Sequence, residues 1–163
     1  MADPDTREGT LFFLAKRLGA WLLSVAVTYL LATLTATQSV VSALTRMGLD
    51  IPVGKRLTMT LQDIVGMAGM FLPMVAFALL IAFMTAALLC RWLSRWRLPL
   101  YLLAGAVAVV CIHLGLNLAF GITPVAIARS TGGLLLQALA GAAGGFAYLL
   151  LVQRQSSVIP RSA

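Results

Sequence analysis

The sequence predicts an all-α membrane protein: four transmembrane helices in an antiparallel bundle, with both termini cytoplasmic. Three observations predict it. Of 163 residues, 61% are hydrophobic and only 10% are charged, whereas a soluble domain carries about 45–50% apolar and about 25% charged residues. Four stretches are apolar over the roughly 20 residues needed to cross about 30 Å of hydrocarbon. Every Lys, Arg, Asp and Glu falls outside those stretches. A mean hydropathy of +0.98 also excludes a disordered chain, which would be polar and charge-rich. Two cysteines and the lack of a Gly-X-Y period exclude a disulfide scaffold and collagen.

The chain therefore reads as one domain over residues 1–163, with spans at about 18–40, 64–90, 98–118 and 132–152. Residues 1–12, with Asp3, Pro4, Asp5, Arg7, Glu8 and Gly9, read as a short cytoplasmic tail. The first span is too long for the 7–15-residue core of a cleaved signal and ends on no Ala-X-Ala site. Its Ser24, Thr28, Leu31, Thr35, Gln38 and Ser42 form a heptad stripe of mostly small or polar residues. The second span carries Gly66, Gly69 and Pro73, and the proline should kink it in its outer half. In the third, Ala104, Ala108, Cys111 and Gly115 form a close-packing side, and His113 with Asn117 forms a polar side. The fourth is the richest in small residues. Gly141, Gly144 and Gly145 are its helix-packing positions, with a GxxxG at 141–145 on a face shared with Gly133, Gln137 and Tyr148.

Orientation follows from the basic residues. Eight lie on the side holding both termini and the 91–97 connection, and Arg46, Lys55, Arg56 and Arg129 lie on the other. Trp92, Trp96 and Tyr101 mark the inner boundary, where amphipathic rings sit. The net charge of +7 is met by anionic headgroups and calls for no nucleic acid. The excess of Arg over Lys, 10 to 2, is compatible with a GC-rich bacterial genome, and the expected location is a bacterial inner membrane. Cys90 and Cys111 lie at different depths, so they read as unpaired small hydrophobes.

Between the first two spans, Gly48, Asp50, Pro52 and Gly54 break the chain. Residues Leu57 to Gln62 alternate as in a strand. Thr60-X-X-Asp63 instead resembles a capping box that starts the second helix, the preferred reading because a strand there has no partner. Before the fourth span, Thr123-Pro124 reads as the start of a short interfacial helix, and Thr131 as a new cap.

A rise of 1.5 Å per residue puts His113 about 22 Å from the inner boundary, with Asn117 and Gln38 near the outer one and Gln137 about 8 Å deep from outside. Gln38, Asp63, His113, Asn117, Arg129 and Gln137 thus form a candidate polar cluster in the outer third of the bilayer. His113 is the single His in the chain, and an ionisable residue inside a span is a functional hypothesis by default. No cofactor, catalytic set or metal site is read: one His falls short of a zinc site, and HExxH, GxSxG and phosphate-loop motifs are missing.

Three readings of function follow. The first is a non-catalytic subunit or scaffold that meets the bilayer and packs, through the fourth helix, against itself or a larger complex. The second is a small oligomeric transporter or lipid-handling protein using the outer cluster. The third is an intramembrane enzyme with His113 as base.

Overall fold

The computed structural model describes residues 4–120 and 131–156. The element order is α1 (Pro4–Arg46), α2 (Val53–Ala68), α3 (Phe71–Cys90), a 3-10 turn (Ser94–Trp96), α4 (Arg97–Phe120) and α5 (Thr131–Ser156). Four segments are long and apolar enough to cross a membrane: Leu14–Arg46, Phe71–Cys90, Ser94–Ala119 and Thr131–Gln153. Helices account for all the regular structure among the described residues, and the alternating stretch at 57–62 is helical.

α1 is 43 residues long, about 64 Å at 1.5 Å per residue. Residues 20–47 contain neither Gly nor Pro, and the threonine hydroxyls turn back on their own helix, as Thr35 does to Leu31 O and Thr45 to Val41 O. Helical winding begins at Pro4, within the stretch expected to be a tail. The helix ends in a Schellman motif. Gly48 takes φ +86°, its N–H donates to Thr45 O, and the Leu49 N–H donates to Leu44 O.

Where the sequence suggests one helix from Ile64 to Cys90, the chain forms two. Pro73 explains the division. It has no N–H for the Gly69 carbonyl four residues back, and its ring crowds that carbonyl. The ladder is interrupted at Gly69 and Met70, and α3 starts at Phe71 with Pro73 in its first turn, where a missing donor costs nothing. The capping-box reading is also corrected. α2 begins at Val53 behind an extended Pro52 (φ −61°, ψ 150°), and the Lys55 and Arg56 N–H groups donate to Pro52 O. Thr60 is then a full turn and more inside the helix, with its hydroxyl donating to Arg56 O.

α5 packs most extensively, against α4 and against α1, and α3 covers α4 from another side. The stripe on α1 that does the packing is not the heptad. Ser24, Thr28, Ala32 and Ala36 are buried beside Val25, Tyr29, Thr33 and Thr37, whereas Leu31, Gln38 and Ser42 are exposed. A step of four winds the buried stripe around α1, because α5 lies against its first half and α2 against its second. On α4, likewise, the tight side is Tyr101, Gly105 and Val109. Ala108 is buried in the core with Ala104 packed against it, and both also line a groove with α3; Gly115 has nothing near it, and Cys111 is exposed rather than buried.

Two aromatic layers fill the bundle. Phe83 stacks on Tyr148 with centroids 4.6 Å apart, and Tyr101 lies 5.4 Å from Tyr148. Phe71 stands between Tyr29, at 6.2 Å, and His113, at 5.9 Å. Outside these layers, large apolar side chains such as Phe77, Met84, Leu103, Leu118 and Leu139 are exposed around the bundle. That surface matches hydrocarbon rather than water, as in a small integral membrane protein.

Candidate functional site

Backbone approach between helices sets the site. A Cβ added to Gly105 would overlap the Gly141 carbonyl oxygen, and one added to Gly141 would overlap that of Gly105. One turn on, a Cβ at Gly145 would overlap Tyr101 O. Gly144 faces the other neighbour: a Cβ there would meet the Thr28 hydroxyl, and the Gly144 carbonyl accepts a 2.7 Å hydrogen bond from Ser24 Oγ. The three glycines of α5 therefore bring it against α4 on one side and α1 on the other, within a single chain.

This closeness carries Gln137, one turn before Gly141, into the interior with no exposure at all. Its Nε2 donates to Ala32 O at 2.9 Å and to Thr35 Oγ1 at 3.3 Å. Thr35 can accept because its own hydrogen goes back to Leu31 O at 2.8 Å. His113, 3% exposed, lies within reach of the Gln137 side chain. Neither His113 Nε2 nor Gln137 Oε1 completes a hydrogen bond, nor do the Thr33 and Thr28 hydroxyls nearby on α1. In a low-dielectric interior such groups retain their capacity for a polar partner. With Nε2 protonated, His113 could donate to Gln137 Oε1.

A second polar contact ties α2 to α1. The Thr37 hydroxyl donates to Asp63 Oδ2 at 2.7 Å and also lies 3.0 Å from Thr33 O. The Tyr29 hydroxyl donates to Ile64 O, and Met67 packs on Ala36. Thr60, Asp63, Ile64 and Met67 thus share the face of α2 that docks on α1, at the spacing of helical turns.

Of the six residues in the candidate cluster, His113 and Gln137 come together. Asp63 is half-buried on Thr37 instead. Gln38 is exposed, on a shallow surface depression with Thr35, Ser39 and Leu136. Asn117 is also exposed, because a step of four residues rotates it off the buried line of His113 and Leu116. Arg129 and the Thr123-Pro124 start lie outside the described residues. Sequence reasoning missed Tyr29, Thr33 and Thr37. Their step of four along α1 was the available signal, hidden by the heptad reading.

The site can hold and orient a hydrogen-bonding group in an apolar surround. Among the described residues, no three His, Cys, Asp or Glu side chains are grouped to hold a metal ion. Compared with protein-family models, curated proteins and solved structures, the chain matches none.

Proposed function

We propose that the chain is a small integral protein of a bacterial inner membrane, an antiparallel four-helix bundle with both termini cytoplasmic, and that it serves as a non-catalytic subunit or scaffold of a membrane complex. The observation that carries this reading is the surface of α2. At 16 residues it is about 24 Å long, short of a bilayer core of roughly 30 Å. One face is docked on α1. Beside that face, Val53 (81% exposed), Leu57 (62%), Leu61 (55%) and Val65 (76%) form an apolar strip one turn apart. Lys55, Thr58 and Gln62 occupy the opposite, polar edge. An apolar strip rimmed by polar residues on a helix too short to span is the pattern of a protein- or membrane-interaction surface, and the subunit reading takes it as the former. With the α5 glycines closed within the chain, α2 replaces α5 as the element that meets a partner.

The experiment is native mass spectrometry of the full chain extracted with its surrounding bilayer. A stoichiometric partner is expected, lost in Leu57→Ser/Leu61→Ser while the bundle keeps its melting temperature. A wild-type chain recovered as a bare monomer overturns the reading.

The unpartnered His113 Nε2 and Gln137 Oε1 favour a second reading, a transporter or lipid-handling protein with a polar site between α4 and α5. It requires that Gln137→Leu abolish solute or lipid movement in vesicles while the fold persists.

A further inference from the structure

Between α3 and α4 runs an open groove of about 570 Å³. Its small side chains, Ala78, Ala82 and Ala86 on α3 with Ala104 and Ala108 on α4, leave room between the two helices. Thr85 is the one hydroxyl in the lining, and it is already used on Ile81 O. The groove therefore presents apolar surface alone and suits a chain of methylenes. From Met74 to Leu89 it follows α3 for about 22 Å, longer than one leaflet of about 15 Å.

One end of the groove is strongly basic. Leu89 and Leu100 line that end, two residues before Arg91 and three after Arg97. Arg97, Leu100 and Ala104 recur at the three- and four-residue steps of one helix face, so Arg97 continues the groove wall of α4. Arg95 lies in the 3-10 turn between the helices, and all three arginines are exposed. Residues 64–120 contain no Asp or Glu. Guanidinium groups match phosphate oxygens with paired donors and stay charged at any physiological pH. Trp92 (89% exposed) and Trp96 (59%) stand in the same connection, as rings do at headgroup level.

We propose that this groove and its arginines form a binding site for an anionic phospholipid, with one acyl chain between α3 and α4 and the phosphate on Arg91, Arg95 and Arg97. The charge selects the occupant. A zwitterionic lipid brings its own cation beside the three arginines and leaves their net charge as it was, as an uncharged helix also would, whereas an anionic lipid lowers it. A basic pocket between membrane helices at the cytoplasmic side is the known form of an anionic-headgroup site. The proposal rests on the chain spanning a membrane with its 91–97 connection on the cytoplasmic side and not on its role as a subunit, so loss of a protein partner leaves it intact.

The test uses the full chain in bilayers of phosphatidylcholine with about one-tenth phosphatidylglycerol, followed by native mass spectrometry of retained lipid. One phosphatidylglycerol per chain is expected, enriched about tenfold or more over its share of the mixture. Raising the salt to about 0.5 M with the wild-type chain should bring retention close to the mixing ratio, since charge contacts at a surface are screened. Arg91→Gln/Arg95→Gln/Arg97→Gln should do the same at low salt. Ala82→Leu, which fills the floor, should lower retention of both lipids. Retention at the mixing ratio in the wild type overturns the proposal, as does enrichment that survives both salt and the triple substitution. A wild-type dimer that Ala82→Leu dissociates also overturns it, because a second copy would then be the occupant.

Discussion

Gly105 and Gly141 each place a carbonyl oxygen where a Cβ on the other would have to sit. The contact is reciprocal, so it permits no side chain on either helix at this level. It allows Cα–H···O contacts across the seam, each worth about 0.5–1 kcal/mol in condensed phase. In hydrocarbon, where burial of apolar surface drives nothing, such close backbone packing is the main source of helix association.

Gly105→Ala and Gly141→Ala should therefore each lower the stability of the isolated chain. The overlap is with backbone, which cannot swing aside, so a loss of about 1–3 kcal/mol or more is expected for each. Denaturant titration in detergent micelles measures it. Because the seam is within one chain, the native mass should stay the same. A change of mass at unchanged stability would show that these glycines serve a partner instead.

Gln137 and His113 should respond in opposite ways. Gln137→Leu removes the Nε2 hydrogen bond to Ala32 O and should cost about 0.6–1.7 kcal/mol, the range seen for polar pairs between membrane helices. His113→Leu removes a ring nitrogen that has no partner, so it should be neutral or slightly stabilising. Melting curves of the two variants decide it. A loss above about 2 kcal/mol in His113→Leu would mean that the imidazole closes onto Gln137 Oε1 and holds the helices.

The four apolar spans are visible in the sequence because the bilayer imposes length and apolarity directly, and 18 or more apolar, uncharged residues mark a candidate span. The partners of each helix face are far less visible. Small residues mark close approach without naming which neighbour approaches, so Gly115 looks as ready to pack as Gly105, yet nothing approaches it. Depth is legible from rise per residue, and azimuth is not. That is why His113 and Gln137 meet while Gln38 and Asn117, at comparable depth, face outward. The division of α2 from α3 needed one further step of reasoning: Pro73 disturbs the carbonyl four residues before it rather than its own position.

Ser24, Thr28 and Gly144 form a small test of the α1–α5 seam. Ser24→Ala deletes the hydrogen bond to Gly144 O and should cost about 0.6 kcal/mol, the membrane average. Gly144→Ala should cost more, because its Cβ meets the stiff, β-branched Thr28 at its hydroxyl. Thr28→Ala removes that hydroxyl, which has no partner of its own. The double variant Thr28→Ala/Gly144→Ala should then recover at least half of the Gly144→Ala loss, a coupling within the roughly 0.5–3 kcal/mol seen for residues in contact. Additive losses would place the obstruction elsewhere, at the Ser24 carbonyl.

The contact of Thr37 with Asp63 is one of three ties that hold α2 on the bundle, with Tyr29 on Ile64 O and Met67 on Ala36. Asp63 is the sole acid of α2, and its carboxylate accepts from a buried hydroxyl whose alternative partner is the Thr33 carbonyl. A hydrogen bond to a charged acceptor contributes about 1.5–3 kcal/mol when buried; Asp63 is only half-buried, which puts the expected value at the low end. Thr37→Val breaks the contact and leaves the carboxylate against an apolar methyl. Asp63→Asn keeps an acceptor and should cost less. Hydrogen exchange provides the readout. Thr37→Val should speed exchange across α2 about tenfold, because a loss of about 1.4 kcal/mol is a tenfold change in opening. The α4 and α5 amides should not change, since the hydrogen bond joins α2 to α1. Faster exchange spread over all the helices would instead make the contact part of the global core, and α2 a fixed member of the bundle rather than a docked one.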